Sequence, residues 1–154
     1  MGQSMDALHV YLSVTLHICI IKEKLIKQRG VGGGDCKSWN LIYCFQCKIC
    51  DILYVGKTID PLNERVNGHR SKFYNVLRHG ARAEDFTDDE QILGVHLVHG
   101  HGMKNENDFN ASYKLFILSY SSPSSIRRSE QFWIDKLKTL TPFGLNQNCS
   151  IKNS

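Results

Sequence analysis

Between Asn40 and Thr58 the chain reads NLIYCFQCKICDILYVGKT. Two apolar runs, Asn40–Phe45 and Ile52–Lys57, flank a turn that carries Cys47 and Cys50. Strand-like alternation around a short turn predicts an antiparallel hairpin. Tyr43 and Tyr54 occupy positions that would face each other across its strands. Phenols there ordinarily pack, but Tyr54-Val55-Gly56 sets a glycine beside one of them, where a ligand can come close. Lys57 follows directly.

Beyond the hairpin, Asp60-Pro61 predicts a helix start, with aspartate at the N-cap and proline at the first helical position. That helix is expected to reach Leu77. An acid-rich loop (Glu84, Asp85, Asp88, Asp89, Glu90) leads to a short helix around Gln91–His99. Tyr113–Tyr120 reads as a third strand. Ser122-Pro123 opens a last helix to Leu137, and Thr141-Pro142 precedes Gly144-Leu145-Asn146. The order ββα, connection, βα implies an α+β domain: a short three-stranded antiparallel sheet flanked by helices.

A length of 154 residues suits one domain with an appendage. The appendage is residues 1–36, read as a helix over 1–29 followed by the glycine-rich linker Gly30–Gly34. The domain is residues 37–149, and residues 150–154 form a tail. With 42% hydrophobic and 22% charged residues the chain is ordinary globular stock. Its net charge of +4 is compatible with a polyanionic partner but too mild to argue for one.

Six cysteines stand at 19, 36, 44, 47, 50 and 149. The N-terminus has no basic stretch and contains Asp6, so no signal peptide is expected. The apolar run Ala7–Ile21 is too short to span a bilayer and is interrupted by His9 and His17. A disulfide framework is then not expected, and the clustered cysteines read as metal ligands or core thiols. Cys47-x-x-Cys50 supplies two thiolates, and His96, His99 and His101 offer further ligands for a tetrahedral site. The plainer alternative is free thiols in a hairpin and surface histidines. Cys44, within the strand, reads as a packing residue.

Two predicted helices carry polar residues where apolar ones belong. Leu62, Val66, Phe73 and Leu77 define the buried stripe of the first, and Arg65 and His69 fall on or beside it. In the last, Ile126, Trp133, Ile134 and Leu137 form the inner face, with Glu130 one turn from both isoleucines. A carboxylate there is costly without a cation or several donors. A buried Arg65–Glu130 salt bridge and a hydrogen-bonded core histidine would explain the pattern structurally. Three such violations converging from two helices also fit a site.

In order and spacing, Leu41-Ile42-Tyr43, Tyr54-Val55-Gly56-Lys57-Thr58, Arg65, His69, Arg128-Ser129-Glu130 with Trp133-Ile134, and Gly144-Leu145-Asn146 resemble a GIY-YIG endonuclease domain. The likeness covers roughly residues 39–149 and is greatest to the endonuclease of Penelope-like retroelements. In that group a Cys-x-x-Cys precedes the second tyrosine motif and a pair of histidines follows the first helix. Leu41 stands where the family name has glycine. The histidine spacing of that group implies His96 with His101 as the partners of Cys47 and Cys50, with His99 as substitute, around a structural zinc. The resemblance further implies DNA as partner, no membrane, and a nuclear location.

Phosphodiester cleavage by in-line attack of water needs an activated water, charge neutralisation and help for the leaving 3′ oxygen. Glu130, the one inward carboxylate, suits a single Mg²⁺ or Mn²⁺, since hard ions take few protein ligands and keep waters. Arg65 is shaped to fork onto phosphate oxygens. Tyr43 is the expected general base, supported by Tyr54, with its pKa lowered by Arg65, Lys57 and the metal. His69 would bond a phosphate or a tyrosine. By resemblance, Asn146 orders the site and Lys57 contacts phosphate or polarises a tyrosine, beside Gly56. The competing expectation is a zinc-stapled nucleic-acid-binding or protein-interaction module without catalysis.

Overall fold

The computed structural model describes residues 37–147, side chains 86 and 87 excepted, together with the backbone of residues 17–19. Strand β1 is His17–Cys19, β2 is Leu41–Cys47, β3 is Leu53–Thr58 and β4 is Tyr113–Tyr120. All pairings are antiparallel, in the order β1-β4-β2-β3. The helices are α1, Leu62–His79; α2, Ile92–Val95, continued by a π turn over His96–Gly100; α3, Asp108–Ser112; and α4, Ile126–Leu137. The domain is α+β, with the three-stranded antiparallel sheet β4-β2-β3 flanked by helices. His17–Cys19 is extended where a helix was expected, because its backbone pairs with β4. The rest of that expected helix and the linker lie outside the described residues, as do Cys36 and Cys149.

Strand β2 lies between two neighbours and is covered on both faces, so its run Leu41–Phe45 is fully buried rather than alternating. Leu41, Tyr43 and Phe45 join Leu62, Val66 and Phe73 of α1 in one core. Ile42 and Cys44 join Trp133, Ile134 and Leu137 of α4 in the other. Between Ile42 and Tyr43 the pairing with β4 shifts, from Ser119 to Ile117, leaving Leu118 as the extra residue of a bulge.

Helix α1 buries Leu62, Val66, His69, Phe73 and Val76, a single helical stripe with a histidine at its middle. Leu77, expected in that stripe, is only partly buried. The helix starts one residue later than Asp60-Pro61 suggested. Asp60 is instead tied to Thr58, whose hydroxyl donates to its carbonyl and accepts from its amide. Pro61 is the N-cap, its carbonyl accepting from Glu64 and Arg65. Likewise Ser122–Ser125 forms a turn before α4, whose N-cap is Ser125.

Strand β3 would expose an edge, and the C-terminal loop covers it. Asn146 accepts from the Val55 amide at 2.8 Å and donates to the Val55 carbonyl at 2.8 Å. The Thr139 hydroxyl donates to the same side-chain oxygen at 2.7 Å, and the Leu145 amide donates to Leu53. Truncation of Asn146 to alanine strips both buried backbone groups of Val55. A loss of about 3 kcal/mol is expected from two unsatisfied groups, read as the shift in urea midpoint.

Candidate functional site

The two tyrosines sit on one face of the sheet but not opposite each other. Tyr43 pairs with Gly56 and Tyr54 with Phe45, which makes the phenols diagonal neighbours with ring centroids 6.5 Å apart. The glycine serves Tyr43 itself: a Cβ at Gly56 would overlap the Tyr43 phenol. Absence of a side chain there lets the ring lie across β3 and reach α1. The close approach expected for a ligand is thus filled by the protein's own tyrosine.

From α1, Arg65 donates through Nε to the Tyr43 hydroxyl at 3.2 Å, and His69 Nε2 lies 2.8 Å from the same oxygen. Guanidinium has only donors, so Tyr43 accepts from Arg65, and His69 Nε2 is the partner left for its proton. That assignment puts the imidazole proton on Nδ1. Nδ1 is buried beside the Glu90 backbone without closing a full hydrogen bond. Burial, aided by Arg65, drives the His69 pKa down to about 3, so the ring is neutral. Tyr43 itself is fully buried, which pushes its phenol up to about 12 despite the opposing pull of Arg65. Among the protein's own groups, desolvation outweighs the neighbouring cation. Burial raises Tyr54 as well.

Helix α4 contributes Glu130, half-buried at 20% side-chain exposure, from the other side of the sheet. Its carboxylate is close enough to oppose ionisation of both Tyr43 and Tyr54. The salt bridge suggested between Arg65 and Glu130 does not form. Lys57 donates to Glu130 at 3.1 Å, while Arg65 Nη1 lies 3.5 Å from Glu90. Lys57 extends from the opposite face of β3 to its neighbour Gly56, which is why it meets α4 and not the phenols. Asn146, expected to order the site, clamps the β3 backbone at Val55.

At the far end of the hairpin, Cys47, Cys50, His96 and His101 bring their ligand atoms within 4.8 Å of one another. Cys50 Sγ lies 3.4 Å from His96 Nε2, Cys47 Sγ 3.6 Å from His101 Nε2, and the two Nε2 atoms 3.1 Å apart. A tetrahedron with metal–sulfur bonds of about 2.3 Å and metal–nitrogen bonds of about 2.0 Å has edges of about 3.5 and 3.3 Å. The four residues are close enough to hold a metal ion. On an α-helix, positions five apart diverge; the π turn over His96–Gly100 stacks them, and this brings the two imidazoles together. His99 is exposed on that turn and outside the group. Cys44 is buried in the strand, its thiol pushed up to about 12 by burial, as a packing residue.

Comparison with family profiles, with curated proteins and with solved structures found no match. Two residues at the site escaped the sequence reading. Glu90 was legible only as part of an acid-rich loop, and Thr139 carried no signal at all. No helix among the described residues is long and apolar enough to cross a membrane.

Proposed function

We propose that this chain is a metal-dependent endonuclease of the GIY-YIG type that nicks DNA, related to Penelope-like retroelements and acting in the nucleus. The observation that carries the reading is the hydrogen-bonded trio Arg65–Tyr43–His69, with Glu130 from a separate helix in electrostatic reach. In this reading Tyr43 takes a proton from the attacking water as it hands its own to the neutral His69. A buried phenol at about pKa 12 is a poor proton acceptor alone. Concerted release to His69 avoids a free phenolate, but it charges an imidazole that burial and Arg65 hold at about 3, so the proton rests there only in passing. Arg65 keeps Nε on the tyrosine and turns its remaining nitrogens to the phosphate oxygens. Tyr54 shields the phenol and orients the water.

Glu130 fits a hard divalent ion: one carboxylate oxygen is held by Lys57, and the other takes no hydrogen bond among the described residues. When bound there, Mg²⁺ or Mn²⁺ would neutralise charge developing on the phosphate and leaving oxygen. Lys57 holds the carboxylate in its rotamer. The Cys47, Cys50, His96 and His101 group suits structural zinc, which with four protein ligands leaves no position for substrate.

One observation favours the second reading, a non-catalytic nucleic-acid-binding module: Tyr43 is entirely enclosed and firmly protonated. Relaxation of supercoiled plasmid separates the two. The endonuclease should nick in Mg²⁺ and not in EDTA, and Glu130→Ala should lower the rate about a hundred- to thousandfold or more, since the stabilisation lost is at least that of one preorganised donor. Equal rates with and without Glu130 would remove it as the ion's ligand. Binding with no nicking under any divalent ion would favour the module.

A further inference from the structure

Arg65 does not wait empty for a phosphate. Its Nη1 lies 3.5 Å from one carboxylate oxygen of Glu90, and Lys72 Nζ lies 3.9 Å from the other. Arg65 and Lys72 are seven residues apart on α1, two turns along one face, so a single carboxylate bridges both cations. Glu90 comes from the loop before α2, and its main chain passes beside the buried Nδ1 of His69. The carboxylate is 53% exposed to solvent, whereas the main chain that carries it lies beside His69. A carboxylate and a phosphate compete for the same guanidinium edge.

Resting on the endonuclease reading, we propose that Glu90 is a built-in competitor for the phosphate seat: DNA must displace it from Arg65 before the scissile group is clamped. Glu90 thereby sets how readily this site admits a backbone, acting through Arg65 and not through the reacting atoms. It tunes affinity and not choice, since its displacement costs the same for every phosphate.

The test is a double-mutant cycle on binding, with cutting disabled by Glu130→Gln in the zinc-loaded full chain. A short fluorescein-labelled duplex is titrated by anisotropy in Mg²⁺. Glu90→Gln is expected to tighten Kd about fivefold, the upper range for a half-exposed ion pair. In an Arg65→Ala background the same change is expected to tighten Kd clearly less, by the release of Lys72 alone. Glu106→Gln, an exposed acid paired elsewhere with Arg78, reports the effect of net charge alone and should do little. Unchanged Kd in Glu90→Gln overturns the competitor role, and so does equal tightening with or without Arg65. DNA binding by every variant, insensitive to Glu90, defeats this inference and leaves the endonuclease reading intact. No DNA binding by any variant defeats both.

Discussion

Tyr43→Phe is expected to lower Mg²⁺-dependent nicking about a hundred- to ten-thousandfold, the range for loss of a positioned general base. The ring still fits against Gly56, so the change removes one oxygen. That oxygen is the atom on which Arg65 and His69 both hydrogen-bond. His69→Gln is the informative companion, since an amide accepts the tyrosine's hydrogen bond but cannot store its proton. If the phenol works by passing its proton to His69, this variant falls as far as Tyr43→Phe. The double variant falls no further, because groups acting as a unit are not additive. A His69→Gln protein with wild-type nicking would contradict the relay and leave the imidazole a packing residue. Melting curves guard against a trivial loss, as an orphaned buried acceptor costs about 1–3 kcal/mol.

Cys50→Ser should abolish the folded state at neutral pH. Structural zinc contributes about 10–16 kcal/mol in small metal-dependent folds, against a total stability of about 5–15 kcal/mol for a domain. The group closes the β2–β3 turn onto the π turn. About one zinc per chain should copurify with wild type by the four-ligand logic. A strong chelator should remove it and erase the near-ultraviolet signal of the packed aromatics. Undiminished stability in metal-free wild-type protein would overturn the structural-zinc assignment.

How far the sequence reached depended on whether an element's signal was local. Tyr113–Tyr120 is a strand at the bounds expected, because its apolar run is flanked by turn residues and needs no partner to be recognised. The same holds for the inner face of α4, where Ile126, Trp133, Ile134 and Leu137 are buried together. The four residues that gather at the hairpin turn were legible from the Cys-x-x-Cys spacing and the histidine spacing of the family it resembles. The π turn that makes His96 and His101 neighbours was not, since nothing in a five-residue spacing announces an under-wound turn. Charge pairing was the least legible. Lys57 with Glu130 and Arg65 with Glu90 are tertiary choices, set by which face of a strand or helix each residue occupies. The burial of Tyr43 was illegible for a related reason. Sequence reveals which cations are near, but only the packed structure reveals how completely the phenol leaves water.

The endonuclease reading is decided by conversion of supercoiled plasmid to open circles by the folded, zinc-loaded full chain. In Mg²⁺ the expected product is a single-strand nick whose 3′ hydroxyl a polymerase extends, left by attack that expels the 3′ oxygen. Plasmid that stays supercoiled with Mg²⁺ and with Mn²⁺, in the presence of protein proven folded and zinc-loaded, would contradict it.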